Sequence, residues 1–202
     1  MRASAIALAT VALCASASTA LAQGAKSLPL GSKAPMTDTK LKNAADGKDV
    51  TLASVAGKKG TLAVFTCNNC PFAKAWEERI VALGNGYAKK GVGVILINAN
   101  KGESAAEMQA RAKERGMEFP YAVDDKGLVA RAFGAQKTPE AYLFDKDGKL
   151  VYHGTIDDNH EEPAKAQKHY LKDALEAVVN GKAPPQPETK SMGCGIKFPK
   201  VS

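Results

Sequence analysis

The stretch LAVFTCNNCP, residues 62–71, joins a short apolar run to two cysteines and a proline. A continuous apolar run of this length predicts a strand that is buried on both faces of a sheet. After Pro71 the apolar residues recur at helical spacing, which predicts one buried helix face formed by Phe72, Trp76, Ile80 and Leu83. Gly84 and Gly86 predict the end of this helix. The sequence therefore places both cysteines where a strand leads into a helix.

Two cysteines separated by two residues at a helix N-terminus suit dithiol–disulfide chemistry. The helix dipole and the free backbone N–H groups favour a thiolate there. We therefore expect Cys67 to be the exposed attacking thiol, with a pKa moderately below that of a free cysteine. Cys70 lies further into the helix and is expected to be more buried, so that it resolves the mixed disulfide. Two other interpretations stay open at this point: half of a zinc site, or two inert buried thiols.

The order of the remaining elements indicates the fold class. Residues 36–53 carry an Asp-Gly turn before a β-prone run and predict a hairpin. Strands are predicted at 92–98, at 119–123 as a short edge strand, at 141–144 and at 150–153, and helices from Ser104 to Gly116, at 128–133 and at 170–178. This order resembles the thioredoxin layout and predicts an α/β, thioredoxin-like fold. Its central mixed β-sheet is flanked by helices and carries an N-terminal β-hairpin extension.

The N-terminus has the features of an export signal. Arg2 is followed by an apolar run over residues 6–13, and Ala20-Leu21-Ala22 forms a small-residue cleavage site. We interpret residues 1–22 as a signal peptide, residues 23–182 as one thioredoxin-like domain, and residues 183–202 as a tail rich in proline and glycine. The protein is expected to be secreted or periplasmic, without stable membrane insertion. Its net charge of +7 is spread without a dense basic tract, so no nucleic-acid partner is expected.

A third cysteine remains in the expected mature chain. An exported protein meets an oxidising compartment, where an unused thiol is a liability. Cys194 lies between Gly193 and Gly195, which leave the backbone free to bend around it. It is predicted to fold back near Cys67 as a possible third redox partner or to shield the site. The alternative is a loose tail thiol that pairs with another chain or with nothing.

The dipeptide Thr138-Pro139, directly before a predicted strand, resembles the Thr-Pro that faces the CxxC motif in thioredoxin-like proteins. In those proteins the proline is cis, and the resemblance implies that Thr138 and Pro139 present backbone to an extended substrate. The chain is also similar to the redoxin branch, and in particular to its peroxiredoxin-like thioredoxin subgroup within the alkyl hydroperoxide reductase/thiol-specific antioxidant superfamily. The segments that carry this similarity are 31–35, 46–52, 67–75, 97–100, 138–140, 144–149, 156–159 and 193–198.

Some positions depart from the patterns of those relatives. Thioredoxin has a tryptophan before its first cysteine and a buried aspartate six residues before it, whereas this chain has Thr66 and Thr61. Peroxiredoxins place a threonine three residues before the reactive cysteine, whereas this chain has Val64. The resemblance therefore implies a redox site, while efficient peroxidase chemistry is not expected.

These observations predict an exported thiol–disulfide oxidoreductase in which Cys67 and Cys70 act on protein or small-molecule thiols and disulfides. Its electron donor is an unidentified partner, and no cofactor or metal is expected. One alternative is a peroxiredoxin-like peroxide reductase. Another is a copper or zinc carrier, since thiolates are soft ligands, although His153, His160 and His169 have no fixed ligand spacing to the CxxC motif. The acidic residues at 157–162 are expected to be solvated.

Overall fold

The computed structural model describes residues 27–200. The expected signal peptide and Cys14 lie outside these residues. The strands are β1 (Leu41–Asn43), β2 (Asp49–Val50), β3 (Gly60–Phe65), β4 (Val92–Asn98), β5 (Tyr121–Val123), β6 (Lys137–Thr138), β7 (Glu140–Asp145), β8 (Leu150–Gly154) and β9 (Cys194–Gly195). The helices are α1 (Pro71–Ala88), α2 (Ala105–Glu114), α3 (Leu128–Phe133) and α4 (Tyr170–Val179), with a short 3₁₀ turn at Pro163–Lys165.

Seven strands form one mixed sheet in the order β2-β1-β5-β4-β3-β7-β8. The three central strands β5, β4 and β3 run parallel, while β7 and β8 are antiparallel to their neighbours. The hairpin β1–β2 adds to the sheet beside β5. This arrangement confirms the thioredoxin-like fold and its N-terminal hairpin.

The central strands bury both of their faces. Along β3, Leu62 and Val64 pack into one apolar cluster, and the alternate residues Ala63 and Phe65 pack into another on the opposite face. Successive side chains of a strand point to opposite faces, so a strand covered on both sides needs an unbroken apolar run. One cluster contains Trp76 of α1, which is fully buried.

Three local predictions are wrong. Helix α1 continues through Gly84 and Gly86 to Ala88, since Gly84 lies inside the helix against the ring of Phe119. Strand β5 was predicted at the edge of the sheet, but it lies inside the sheet, because β1 pairs with its outer side. The acidic segment is only partly solvated: Asp157 is buried and accepts a hydrogen bond from the indole nitrogen of Trp76 at 2.7 Å.

The C-terminal tail packs along the domain. The backbone of His153 binds both Pro187 and Thr189, with N···O distances of 3.0 Å each. The Arg131 guanidinium lies 4.0 Å from the centroid of the Phe198 ring. Between these contacts β9 pairs antiparallel with β6. The tail therefore crosses the end of the domain that carries the two cysteines.

Candidate active site

The two cysteines lie at the junction of β3 and α1, as the sequence predicts. Cys70 is the N-cap of α1, and its Sγ accepts a hydrogen bond from the backbone N–H of Ala73 at 3.5 Å. Pro71 occupies the first helical position, where a missing N–H costs no hydrogen bond. The chain thereby delivers both sulfur atoms to one helix N-terminus.

Thr138 contacts both sulfur atoms. The Sγ of Cys67 lies 3.5 Å from its hydroxyl oxygen, and the protonated thiol of Cys70 donates to its carbonyl oxygen at 3.0 Å. The Thr138–Pro139 peptide bond is cis, which confirms that expectation. The segment 138–139 thus faces the dithiol, although the two lie about 70 residues apart in the chain.

The two thiols share a hydrogen bond, which is the largest influence on both pKa values. It lowers the pKa of Cys70 and raises that of Cys67, and burial and the nearby charge of Glu103 add to the rise at Cys67. The lowered pKa expected at Cys67 therefore falls on Cys70, chiefly through the hydrogen bond from Cys67 and to a smaller extent through the backbone N–H of Ala73 at the N-cap position. The site stabilises one negative charge on the pair and opposes a second.

Cys67 is also less accessible than the sequence suggests. Its exposed fraction is 8 % and that of Cys70 is 4 %. Cys70 is therefore the more buried of the two, as expected, but both thiols are buried. A cavity of about 260 Å³ borders both sulfur atoms and is bounded by the loop 100–103 and by residues of the tail. This cavity gives the buried dithiol an opening beside the loop and the tail.

Glu103 is a site residue that the sequence analysis missed. Its carboxylate accepts hydrogen bonds from the backbone N–H groups of Asn68 at 2.7 Å and of Asn69 at 2.9 Å. The side-chain amide of Asn98 donates to the same carboxylate at 2.7 Å. The signal that could have revealed Glu103 is its place after β4, since the carboxyl ends of adjacent parallel strands meet at one edge of a sheet.

Tyr121 completes this support of the CxxC loop. Its hydroxyl donates to the side-chain oxygen of Asn68 at 3.1 Å. Burial raises the pKa of Tyr121 well above its ordinary value, so the phenol stays a hydrogen-bond donor. The residues between the two cysteines are therefore held by Glu103, in the loop after β4, and by Tyr121 of β5.

The tail brings Cys194 to the site. In the β6–β9 ladder, Cys194 is the direct partner of Thr138. The side chain of Cys194 packs against the cluster of Cys67, Cys70 and Ala73, and its interaction with Cys70 raises the pKa of Cys194. The tail thus folds back to the site as predicted, and the thiol that acts most strongly on Cys194 is Cys70 rather than Cys67.

The family model for AhpC/TSA proteins matches residues 30–153, which include the dithiol and Thr138-Pro139. The chain belongs to the AhpC/TSA family. Among curated relatives, thiol-disulfide oxidoreductase ResA of Bacillus thuringiensis is 28% identical over 106 residues, which is 52% of this chain and 60% of that relative. The chain thus spans less than two thirds of the length of the curated relatives it matches first.

Two solved structures resemble this AhpC/TSA protein over most of its length. A conserved protein of Geobacillus kaustophilus is 36% identical, with a TM-score of 0.80 and coverage of 86% of this chain and 94% of that one. A protein of Sinorhizobium meliloti is 33% identical, with a TM-score of 0.78 and coverage of 87% and 98%. The fold described here is therefore shared almost end to end with both.

Two further observations concern the described part of this AhpC/TSA protein. Across residues 27–200, the structure arranges no group of three or more His, Cys, Asp or Glu side chains to hold a metal ion. Within the same residues, no helix is both long and apolar enough to cross a bilayer.

Proposed function

We propose that this chain is an exported thiol–disulfide oxidoreductase whose redox-active pair is Cys67 and Cys70. The observation that carries this proposal is the packing of two thiols against each other at the N-terminus of α1, beside the cis Thr138–Pro139 bond. This arrangement lowers the pKa of Cys70 and so favours a single thiolate. A single thiolate beside a second thiol is what exchange with a disulfide requires. The name of the ResA relatives supports the same activity.

In the reductive direction Cys67 passes its proton to the Cys70 thiolate and attacks one sulfur of a substrate disulfide. The substrate S–S bond breaks, its other sulfur leaves as a thiolate and takes that proton from Cys70, and a mixed disulfide with Cys67 forms. The Cys70 thiolate then attacks the Sγ of Cys67, so the Cys67–Cys70 disulfide forms and the substrate leaves reduced. Two electrons pass from the dithiol to the substrate, and an external thiol donor restores the pair. The oxidative direction is the same sequence in reverse.

Thr138 and Pro139 are the proposed docking residues for an extended protein substrate. Thr138 contacts Cys67 through its hydroxyl and Cys70 through its backbone carbonyl, so a substrate strand that pairs with Thr138 would bring its own cysteine to the dithiol. Tail residues 194–195 pair at this position, so a protein substrate must displace them. A small thiol could instead enter through the cavity.

Export is part of this proposal. It rests on the signal-like features of residues 1–22 and on a dithiol suited to an oxidising compartment. Its test is the N-terminal sequence of protein recovered from the culture medium or periplasm. A mature chain that begins near residue 23 supports export, and retention of residues 1–22 in the cytoplasm contradicts it.

A redox titration tests the activity. Protein carrying Cys194→Ser is equilibrated in glutathione buffers, quenched in acid, alkylated and digested with trypsin. Cys67 and Cys70 lie in one tryptic peptide, residues 60–74, so their disulfide is read from the unalkylated mass of that peptide. We expect a reversible transition that Cys70→Ala abolishes. If the peptide is alkylated twice at every buffer ratio, the proposal fails.

Peroxide reduction is the second candidate, and membership of the AhpC/TSA family favours it. The anionic carboxylate of Glu103 near Cys67 disfavours the thiolate that would attack a peroxide. The test is the rate at which hydrogen peroxide oxidises Cys67 in the Cys70→Ala variant. A rate equal to that of free cysteine removes this candidate.

A further inference from the structure

The three thiols lie in one cluster, in which Cys67 and Cys70 pack together and Cys194 packs against them. The side chains of Cys67 and of Cys194 both lower the pKa of Cys70, so Cys70 interacts with each of the other two. Cys67 also contacts the hydroxyl of Thr138. Thiol–disulfide exchange needs an attacking, a central and a leaving sulfur in sequence. The order Cys194, Cys70, Cys67 supplies these three positions within one chain.

The tail holds Cys194 in this position through its backbone. Cys194 pairs with Thr138 and Gly195 with Lys137, which is the edge proposed above for a substrate strand. The tail is fixed on the C-terminal side of β9 as well, where the backbone N–H of Ile196 donates to Gln136 at 2.9 Å. Cys194 therefore occupies the place of a substrate cysteine.

Gly193 permits this close approach. A Cβ added at Gly193 would lie 2.2 Å from the carbonyl oxygen of Thr138 and 3.2 Å from the backbone nitrogen of Pro139. The obstacle is main chain, so a side chain at this position must push the tail away from the dithiol. A Cβ added at Gly195 meets nothing within 4 Å. The two glycines thus provide a variant that undocks the tail and a matched control.

We propose that Cys194 is a third redox-active thiol, which attacks Cys70 in the Cys67–Cys70 disulfide and takes over the bond. The Cys70–Cys194 disulfide forms as the Cys67–Cys70 bond breaks, and Cys67 leaves as a thiolate. The proton given up by Cys194 balances the one that Cys67 or solvent takes, and no electrons enter or leave the protein. This inference rests on the proposed function, since it needs the Cys67–Cys70 disulfide as its starting point.

The exchange has a consequence for the catalytic cycle. The side chain of Cys194 is half-buried, whereas Cys67 and Cys70 are buried. The Cys70–Cys194 disulfide is therefore more accessible to a reductant at the surface, while Cys67 becomes a free thiol again inside the protein. The electron donor and the substrate would then meet the protein at different sulfur atoms.

Disulfide mapping of the full chain tests this proposal. Cys194 lies in the tryptic peptide 191–197, so its bond to Cys70 cross-links that peptide to 60–74, whereas the Cys67–Cys70 bond links no peptides. Each variant is equilibrated with glutathione and glutathione disulfide, acid-quenched, alkylated and digested without reduction. We expect the cross-link in the wild-type monomer and as the main bridge in Cys67→Ser.

The glycine pair checks that the folded tail makes this bond. We expect Gly193→Ala to lower the cross-link at least tenfold while the Cys67–Cys70 disulfide persists, and Gly195→Ala to match the wild type. The proposal is overturned if Cys67→Ser leaves Cys70 and Cys194 unlinked, or if the cross-link occurs only in dimers. Loss of the Cys67–Cys70 disulfide in Cys194→Ser would instead refute the proposed function, so the two failures are distinguishable.

Discussion

The carboxylate of Glu103 accepts a hydrogen bond from the backbone N–H of Asn68 at 2.7 Å, across 35 residues of sequence. The same carboxylate binds the next backbone N–H of the CxxC loop. These donors would otherwise be free to stabilise a thiolate at the helix entrance. Glu103 is therefore a positioning residue that fixes the loop and adds a negative charge beside Cys67.

Replacement Glu103→Gln is expected to make Cys67 easier to ionise. The charge of Glu103 raises the pKa of Cys67, so its removal lowers that pKa. In a Cys70→Ala background, alkylation of Cys67 by iodoacetamide at neutral pH should accelerate by about two- to fivefold, because a larger fraction of Cys67 is then thiolate. The gain is limited because a thiolate of lower pKa is also a weaker nucleophile. The midpoint of the pH–rate profile should move to lower pH.

The control for this profile is Glu118→Gln, which removes an exposed glutamate that pairs with Lys89 at 3.2 Å. It should leave the midpoint unchanged. A merely structural role for Glu103 would lower stability without moving the profile, and an unmoved midpoint in Glu103→Gln would therefore contradict the electrostatic role.

The shared hydrogen bond predicts the pH dependence of the reduced pair. The pKa of Cys70 is lowered because the thiol of Cys67 donates to its thiolate, so the reduced protein keeps one thiolate at pH values below those of an ordinary cysteine. Cys67→Ala removes that donor and so raises the pKa of Cys70. Cys70→Ala leaves only Cys67, whose pKa is kept above its ordinary value by burial and by the charge of Glu103. The midpoint for alkylation of peptide 60–74 should thus shift upward in Cys67→Ala and in Cys70→Ala. Identical midpoints in all three proteins would exclude a shared proton.

Local sequence signals were sufficient for most elements of this fold. The capping box at Ser104 and Glu107 starts α2 where it was predicted, and α3 has the predicted bounds of 128–133. The CxxC motif also lies at the predicted strand-to-helix junction. These features depend on residues within a few positions of one another, so periodicity and capping chemistry can identify them.

The features that sequence reasoning missed depend on distant residues. Glycine at position 84 signals a helix end locally, but here it admits the ring of Phe119 from another segment. The pairing of Cys194 with Thr138 joins a tail whose composition indicates no fixed structure to a strand 56 residues earlier. The charge of Asp157 predicts a solvated side chain, but in the fold Trp76 and Arg79 lie beside it and bind its carboxylate. Tertiary contact decides each of these, and no local pattern encodes it.

The two glycines of α1 should respond to alanine in opposite directions. A Cβ at Gly84 would lie 2.3 Å from the Phe119 ring, so Gly84→Ala should lower the free energy of unfolding by about 1–3 kcal/mol through overpacking. Gly86 is exposed with open space at its Cβ, so Gly86→Ala should raise it by about 0.5–1 kcal/mol through helix propensity. Urea unfolding measures both. Stabilisation by Gly84→Ala would show that Phe119 can move aside.

Asp157 links α1 to the segment before α4, and its replacement by asparagine tests that link. The carboxylate accepts the indole N–H of Trp76 and forms an ion pair with Arg79. Asparagine offers Arg79 an N–H group in place of one carboxylate oxygen. Because breaking a buried pair costs about 3–5 kcal/mol and Arg79 is partly exposed, we expect a loss of about 2–3 kcal/mol in the free energy of unfolding.

Trp76 is the single tryptophan of the chain, so its fluorescence reports on this contact directly. The Asp157→Asn variant should show altered native emission together with its earlier unfolding transition. Asp158→Asn is the control, because Asp158 is exposed and accepts only backbone N–H groups from residues 167 and 168. It should retain native emission and lose less than about 1 kcal/mol. Equal effects of the two variants would mean that the charge of the segment matters, rather than the buried contact with Trp76 and Arg79.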